Sequence, residues 1–223
     1  MFCKGKIVLF ADNQEQVLKK NSLGAAMSGG GGSKRQEFDF YPTSVEGIDA
    51  FISAERSMLD FFSWHKIQVW EPACGDGAIS KRLESFGLDV LSTDLVDHGY
   101  GMAGRDFLEQ EGPRKMPIIT NPPYQDFPEK FIRHAQKLES PYLALLLKSN
   151  YFHTLAHGKL FEEIPPSREY RLSWRIDFLN LGRPTMTASW FVWDFFTPRR
   201  QSSPQSFILN RPSNNLSQME MFS

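Results

Sequence analysis

The residues with the clearest chemical potential form the run Asn121-Pro122-Pro123-Tyr124. The Asn121 side-chain oxygen and the Pro122 carbonyl are acceptors, and the two prolines fix two φ angles and remove two backbone donors. Two acceptors aimed at an NH2 group would pull its nitrogen toward tetrahedral geometry and expose the lone pair, while Tyr124 offers a ring for a flat base. The run predicts activation of an exocyclic amine by fixed dipoles, without a general base; the alternative is an ordinary proline-rich turn.

A glycine-containing loop lies upstream, in residues 71–77, with the sequence Glu-Pro-Ala-Cys-Gly-Asp-Gly. Gly75 and Gly77 let the backbone turn tightly and approach a ligand, and Asp94 can accept hydrogen bonds from both hydroxyls of a ribose. Ser80 stands where the phosphate fingerprint G-x-G-x-x-G has its third glycine. The two acids of the loop disfavour a pyrophosphate and are compatible with a cationic sulfonium cofactor carrying an amino-acid tail. The alternative is a plain strand-to-helix turn.

Predicted strands and helices alternate along the chain and place both motifs at strand ends. Helices are predicted after Ser44, which can cap one continuing to Phe62, after Gly77, and over residues 128–138. Strands are predicted at 67–70, 89–92, 118–120, 142–147, 168–174 and 190–196. The nearly all-apolar run 142–147 is typical of a strand buried on both faces. The alternation indicates an α/β, Rossmann-like fold with a mostly parallel sheet and helices on both faces.

Composition limits the remaining possibilities. The 223 residues carry a net charge of −1, which argues against a purely electrostatic nucleic-acid coat. Cys3 and Cys74 lack metal-ligand spacing, so we predict no metal and a reducing, cytoplasmic setting. No apolar run approaches the roughly 18 residues of a membrane span, and no signal peptide is recognised. We predict a flexible tail with a Gly-rich linker (1–36), one domain (37–198) and a disordered tail rich in Ser, Asn, Gln and Pro (199–223).

The order of these motifs resembles that of the N6-adenine DNA methyltransferases. Residues 38–196 carry Tyr41-Pro42-Thr43, the loop 71–77, Asp94, Asp106-Phe107-Leu108 and the Asn121 run in the gamma-like order, and small phage-encoded orphan enzymes look most similar. The resemblance implies a class I S-adenosylmethionine-dependent methyltransferase fold with a C-terminal antiparallel strand. It also implies S-adenosylmethionine as cofactor, single- or double-stranded DNA as substrate, and a monomer in the cytoplasm of a bacterial or phage-infected cell.

The resemblance assigns roles to individual residues. Residues near the methionine part of the cofactor or in its backbone pocket would be Tyr41, Thr43, Glu71, Cys74, Gly75 and Gly77. Asp94 would hold the ribose, Asp106 would accept from the cofactor's adenine amine, and Phe107 would pack on that ring. Trp190 and Phe191 resemble part of an aromatic strand that clamps the flipped base. The alternatives are a helix cap for Asp106 and core packing for the aromatic residues.

Two departures from the family matter. The chain has no room for a large target-recognition domain, so specificity is low or resides in the loop 176–188, where Arg183 is a predicted substrate contact. Between residues 165 and 212, seven arginines that could grip phosphates face three acids; they are Arg168, Arg171, Arg175, Arg183, Arg199, Arg200 and Arg211. The alternative is a solvated surface. The short spacing from Asp94 to Asp106 also predicts an abbreviated fold there.

The final residues Gln218-Met219-Glu220-Met221-Phe222 resemble the peptide by which bacterial replication and repair proteins bind the sliding clamp. Such a peptide needs a glutamine followed by aliphatic and aromatic anchors; the alternative is a chance match.

The amine-activating run also leaves the substrate open. The same chemistry serves adenine in structured RNA and glutamine amides in proteins, and a second alternative is a catalytically inactive nucleic-acid-binding protein. The basic, aromatic C-terminal half favours DNA.

Overall fold

The computed structural model describes residues 43–124, 127–177, 184, 186–196 and 204–212. All of them belong to one unit of the chain, Phe40–Ser223. Several predictions lie outside the described residues: the roles of Tyr41 and Arg183, the N-terminal tail and the clamp peptide Gln218 to Phe222.

The described strands form one sheet. Their bounds are β1 Val69–Glu71, β2 Val90–Ser92, β3 Ile118–Thr120, β4 Tyr142–Lys148, β5 Arg168–Ile176, β6 Met186–Asp194 and β7 Gln205–Leu209. Their order is β2-β1-β3-β4-β6-β5-β7. β1 to β4 are parallel, β6 is antiparallel to both β4 and β5, and β7 is parallel to β5. All strands except β6 therefore end at one side of the sheet, here named the carboxyl edge; the opposite side is the amino edge.

Helices cover both faces of this sheet. Their bounds are α1 Val45–Ala54, α2 Arg56–Trp64, α3 Ala78–Ser85, α4 Phe127–Lys137 and α5 Leu155–Glu163. Apolar residues of α1, α2 and α3 share one buried cluster, and those of α4 and α5 share another. Along β4, Ala144 and Leu146 join the first cluster, whereas Leu143 and Leu145 join the second. The predicted α/β fold and the strand buried on both faces are thus confirmed.

The helix predicted after Ser44 is divided into α1 and α2. Ser44 caps α1 as predicted, because its hydroxyl accepts a hydrogen bond from Gly47 N at 3.3 Å. The chain then bends at Glu55, whose φ and ψ are −97° and 15°. The bend directs the Glu55 carboxylate into the protein, where it accepts from Arg168 and from the hydroxyls of Tyr142 and Tyr170. Sequence periodicity continues across this bend and does not reveal it.

Arg168 links the amino edge of the sheet through buried ion pairs. Its guanidinium donates to Glu55 at 2.7 and 3.0 Å and to Asp194 at 3.0 Å. The side chains of Glu55 and Asp194 are 3% and 2% exposed. The prediction that Arg168 could grip a phosphate is therefore wrong, because both partners are internal carboxylates at the edge away from the strand ends that carry the motifs.

The C-terminal tail predicted to be disordered contains a strand. Residues Gln205–Leu209 form β7 along β5, and the Phe207 ring stacks on Tyr170 with centroids 5.3 Å apart. The polar composition of residues 199–223, averaged over its length, conceals the short apolar run 207–209. Disorder is therefore the wrong prediction for these five residues.

The segment between Asp94 and Asp106 is short, as predicted. It forms an isolated bridge between Thr93 and Met102 and leads directly into a 3₁₀ turn at Phe107–Glu109, with no α-helix between. No helix in the described part of the chain is long and apolar enough to cross a lipid bilayer.

Candidate active site

The loops that follow β1 and β2 are joined by hydrogen bonds at the carboxyl edge. Cys74 N donates to Thr93 O at 3.1 Å, and the Trp70 indole donates to the Thr93 hydroxyl at 2.9 Å. The Asp94 carboxylate accepts from Gly75 N through one oxygen and from Val96 N through the other, both at 2.8 Å. Each carboxylate oxygen has two lone pairs, so each can accept a second hydrogen bond, from a hydroxyl group. Asp94 therefore has the fixed orientation that the predicted ribose contact needs.

The glycines of the loop have left-handed backbones, and one of them meets another side chain. Gly75 and Gly77 have φ of 53° and 81°. A Cβ on Gly77 would lie 2.4 Å from the Tyr100 ring, whose hydroxyl donates to Glu84 at 3.1 Å. The Lys81 ammonium lies 4.7 Å from the centre of the same ring. Gly77 is needed here because Tyr100 packs directly on the backbone, a contact that the spacing of glycines does not reveal.

Glu71 lies beneath the loop and is 1% exposed. Its carboxylate accepts hydrogen bonds from Ser80 N at 2.8 Å and from the Ser80 hydroxyl. Burial raises the pKa of Glu71 well above its usual range, and the nearby charges of Asp94 and Asp76 raise it further. Ser80, at the position of the missing third glycine, thus binds the Glu71 carboxylate, a contact that sequence analysis did not predict.

Cys74 is buried in the same loop. Burial, followed by the charges of Glu71 and Asp94, raises the pKa of its thiol to about 12. The thiol is therefore neutral at physiological pH, which suits a packing contact in a pocket wall and not a nucleophile.

These residues fit the cofactor that the resemblance implies. The carboxylates of Asp76 and Asp94 both lie close enough to Glu71 and Cys74 to raise the pKa values of those two groups. Together with the oriented Asp94 oxygens, they suit a ligand that has a diol and positive charge, as S-adenosylmethionine does. Within the described ranges, no group of three or more potential metal ligands occurs.

Asp106 caps a turn, and its contact with the cofactor's adenine amine stays a prediction, whereas Phe107 differs from its predicted role. One Asp106 oxygen accepts from Leu108 N at 2.9 Å and caps the 3₁₀ turn, the alternative foreseen for this residue. Phe107 is 2% exposed and packs against Trp70, Phe131 and His134, with ring centroids 5.1, 4.5 and 4.8 Å away. The prediction that Phe107 packs on the cofactor's adenine is therefore corrected to a core position.

The Asn121 run leaves β3 at the carboxyl edge, one strand away from the glycine loop. β3 pairs with β1 through Trp70 and Ile118, so the two loops start from adjacent strands. The Asn121 amide nitrogen donates to the Thr43 hydroxyl at 3.1 Å. This bond turns the carbonyl oxygen of the same amide away from Thr43. Thr43 thus contacts the residue that is predicted to activate an amine, and it is buried at the start of α1.

Tyr124 completes the turn and is 6% exposed. The ammonium of Lys148, the last residue of β4, lies 5.4 Å from the centre of its ring. Sequence analysis did not single out Lys148, although a charged residue that ends an apolar strand could have indicated it.

Trp190 and Phe191 lie in the core of the sheet and not at the site. Trp190 stacks on Phe51 at 4.3 Å, and its indole donates to Gly47 O at 3.0 Å. Phe191 packs on Phe161 from the opposite face, at 5.3 Å. Both are buried, so the predicted contact of these rings with a flipped base is corrected. The Trp190 bond to Gly47 instead anchors α1, which follows Thr43.

The arginines of the C-terminal half fall into different environments. Arg171 pairs with Glu169 at 3.0 Å, and Arg211 pairs with Glu46 at 2.8 Å. Arg175 is exposed near the end of β5, in register with Thr187 of β6. Lys148 and Arg175 therefore lie at or near the carboxyl edge, while Arg183, Arg199 and Arg200 lie outside the described residues.

Comparison with protein-family models and with curated proteins gives no match. Among solved structures, a candidate class I S-adenosylmethionine-dependent methyltransferase from Listeria monocytogenes matches with TM-score 0.52 and 15% identity, over 86% of this chain and 73% of that chain. A candidate RNA methyltransferase from Pyrococcus horikoshii matches with TM-score 0.56 and 15% identity, over 78% and 97%.

A third match is the methyltransferase subunit of a type I restriction-modification system from Streptococcus thermophilus, with TM-score 0.54 and 12% identity, over 77% of this chain and 47% of the subunit. The chain thus spans about half the length of that subunit. These likenesses establish the fold, which is the Rossmann-like fold of class I S-adenosylmethionine-dependent methyltransferases, as the resemblance predicts.

Proposed function

We propose that this chain, with its class I methyltransferase fold, transfers a methyl group from S-adenosylmethionine to the N6 amine of adenine in DNA. The observation that carries the proposal is the Asn121 amide. It is held by Thr43 at 3.1 Å and follows a strand adjacent to the one that leads into the glycine loop. The group that accepts hydrogen bonds from the target amine would then lie next to the pocket for the methyl donor. Both would be at the carboxyl edge, where ligands bind in sheets of this kind.

The cofactor would be held by the loops after β1 and β2. Asp94 would accept from the ribose hydroxyls, and the backbone at Gly75 and Gly77 would line the methionine part. The carboxylates of Asp76 and Asp94 would favour the positive charges of the ligand. When bound, S-adenosylmethionine supplies an electrophilic methyl group on a sulfonium.

Asn121 and Pro122 would prepare the amine. Their two carbonyl oxygens accept from the two N–H groups and so direct the nitrogen lone pair toward the methyl group. The new N–C bond forms as the S–C bond breaks, and the bond pair leaves with sulfur. Positive charge that develops on nitrogen is stabilised by the two fixed dipoles, and the surplus proton leaves to solvent after transfer.

A nucleic acid is proposed as the substrate, in preference to a protein, because of the cations near the carboxyl edge. Lys148 is the last residue of β4 and Arg175 lies near the end of β5, where a phosphate backbone entering at Tyr124 would pass. The restriction-modification subunit among the structural matches supports DNA as this nucleic acid. The RNA methyltransferase match supports adenine in RNA as the alternative.

A substrate panel separates these choices. Purified protein with methyl-labelled S-adenosylmethionine is incubated with duplex DNA, single-stranded DNA, RNA or a protein mixture, and labelled nucleosides and peptides are identified by mass spectrometry. We expect N6-methyladenine in DNA. Label in RNA or in glutamine side chains without label in DNA would replace the substrate, and cofactor binding without any transfer would favour the inactive alternative.

Asn121→Ala tests the residue on which the proposal depends. Loss of one fixed acceptor should lower kcat/KM by about 10²-fold or more while the Kd for the cofactor changes less than about twofold. Thr43→Val and Thr43→Ser form a matched pair, because only serine retains the hydroxyl that orients the amide. We expect about a tenfold loss of kcat for the valine variant and near-normal kcat for serine. Full activity of Asn121→Ala would refute the assigned role.

A further inference from the structure

Lys148 occupies an unusual position for a charged side chain. It follows the buried run Tyr142 to Leu147 directly and is itself exposed at the carboxyl edge. Its ammonium lies 5.4 Å from the centre of the Tyr124 ring, within the range of a cation–π contact.

The Tyr124 side chain is almost completely buried. Tyr124 belongs to the buried cluster shared by α1, α2 and α3. Because Tyr124 is only 6% exposed, a base that stacks on its ring must displace part of what covers the ring. Lys148 is a cover that can be displaced, because its exposed, flexible stem can swing toward solvent.

The cation–π contact is also easily exchanged. In the described part of the chain, no carboxylate forms an ion pair with Lys148, so leaving the ring breaks no salt bridge. A cation–π contact at an exposed site is weaker than the stacking of a base on an aromatic ring. A displaced ammonium next to a nucleic acid would in addition gain a charge-assisted hydrogen bond to phosphate.

We propose that Lys148 is a substrate-exchanged cover of Tyr124. Without DNA its ammonium occupies the face of the ring on which the target base stacks; on binding, the base takes that face and the ammonium pairs with a phosphate of the same strand. The inference rests on the proposed function and adds a substrate-binding residue to it. It assigns Lys148 to binding and not to the chemical step.

Three variants separate the charge from the cover. Lys148→Met retains a flexible apolar stem without the charge, and Lys148→Arg retains the charge. Lys137→Met is the matched control, because Lys137 is exposed at the end of α4, the helix that leads back to the amino edge where β4 begins.

For Lys148→Met we expect KM for DNA to rise about tenfold at low salt, with kcat within about twofold of the wild type. The slope of log Kd against log salt should fall by about one, which corresponds to the loss of one phosphate contact. Lys148→Arg should remain within about threefold of the wild type in KM, and Lys137→Met should change neither quantity. An unchanged salt slope in Lys148→Met would overturn the inference.

A spectroscopic signal reports the exchange itself. Lysines of the wild type are reductively methylated with ¹³C, and the Lys148 resonance is identified by its absence in Lys148→Met. The ring current of Tyr124 should shift this resonance upfield, Tyr124→Leu should abolish the shift, and saturating adenine-containing oligonucleotide should abolish it as well. A resonance that stays upfield in saturating DNA would refute the exchange.

The two proposals fail differently. Suppose that the wild type binds and methylates DNA, that Lys148→Met changes KM and the salt slope no more than Lys137→Met does, and that DNA does not move the Lys148 resonance. The role of Lys148 as a cover of Tyr124 is then wrong, and the proposed function stands. If the wild type neither binds nor methylates DNA, both fail.

Discussion

Asp94 and Asn121 are held by uncharged groups. Asp94 is oriented by the N–H groups of Gly75 and Val96, and Asn121 by the hydroxyl of Thr43. Such uncharged contacts fix the direction of the Asp94 carboxylate and of the Asn121 amide without forming an ion pair. Both features are forms of electrostatic preorganisation.

Cys74 should be almost inert toward thiol reagents in the folded protein. Its pKa of about 12 means that little thiolate exists at pH 8, and the side chain is buried as well. In a Cys3→Ser variant, labelling by a disulfide reagent at pH 8 should be at least 10²-fold slower than in guanidinium, and the rate should still be rising with pH above 10. Rapid labelling at pH 8 would contradict this environment.

Sequence analysis locates residues correctly where their position depends on strand ends, whereas their chemical roles stay predictions. Asp94, Gly75 and Asn121 could be placed because the carboxyl end of a buried strand is a fixed position in the fold. Phe107 and Trp190 could not, because strand alternation and local pattern do not say which neighbours cover a ring. The first packs among other aromatic side chains and the second against α1.

At the level of elements, the segment between β2 and the 3₁₀ turn fastens the glycine loop. Tyr100 lies on Gly77, and its hydroxyl reaches Glu84 of α3. This short segment therefore contacts both the glycine loop and α3.

Gly77→Ala should damage the loop more than Gly99→Ala. The two glycines have nearly equal φ, 81° and 79°, but a Cβ on Gly77 meets the Tyr100 ring at 2.4 Å while one on Gly99 meets nothing within 4 Å. Gly99→Ala should cost about 1 kcal/mol of unfolding free energy from backbone strain alone.

Gly77→Ala should cost more than this and should also weaken cofactor binding, as measured by urea unfolding and calorimetry. Adding Tyr100→Ala should recover part of the extra loss. Equal losses of unfolding free energy for the two single variants would show that the Tyr100 ring moves away from the new methyl group at no cost.

Elements with strong periodicity were predictable, whereas short or composite ones were not. Burial on both faces makes β4 nearly uniform in sequence, so its position follows from composition. β7 depends on pairing with β5 and on the Phe207–Tyr170 stack, and these are contacts between distant residues. The bend at Glu55 depends likewise on Arg168, 113 residues away.

At the scale of the whole described unit, the two edges of the sheet have different tasks. The carboxyl edge carries the loops of the site, whereas the amino edge is joined by Glu55, Arg168 and Asp194. Removing one member of a buried ion-pair network leaves the others without compensation and is strongly destabilising.

Arg168→Met should therefore lower the free energy of unfolding by about 3 kcal/mol, measured with urea. Arg56→Met is the control. The Arg56 side chain is 70% exposed and pairs with Asp60, which is 30% exposed, so the loss should stay below about 1 kcal/mol. Kd for DNA should be the same in both variants at a temperature where both are folded. A selective loss of DNA affinity in Arg168→Met would restore the discarded phosphate role.

The ion pair between Arg211 and Glu46 has a consequence for the connectivity of the chain. Glu46 is three residues after Thr43, so the first and last described segments meet beside the site, although residues 43 and 212 are far apart in sequence. Meeting ends are what circular permutation requires. A short linker could join the two segments, and the chain could be opened at the amino edge instead. The order of the segments along the chain would then change while the surroundings of Asn121 stay the same.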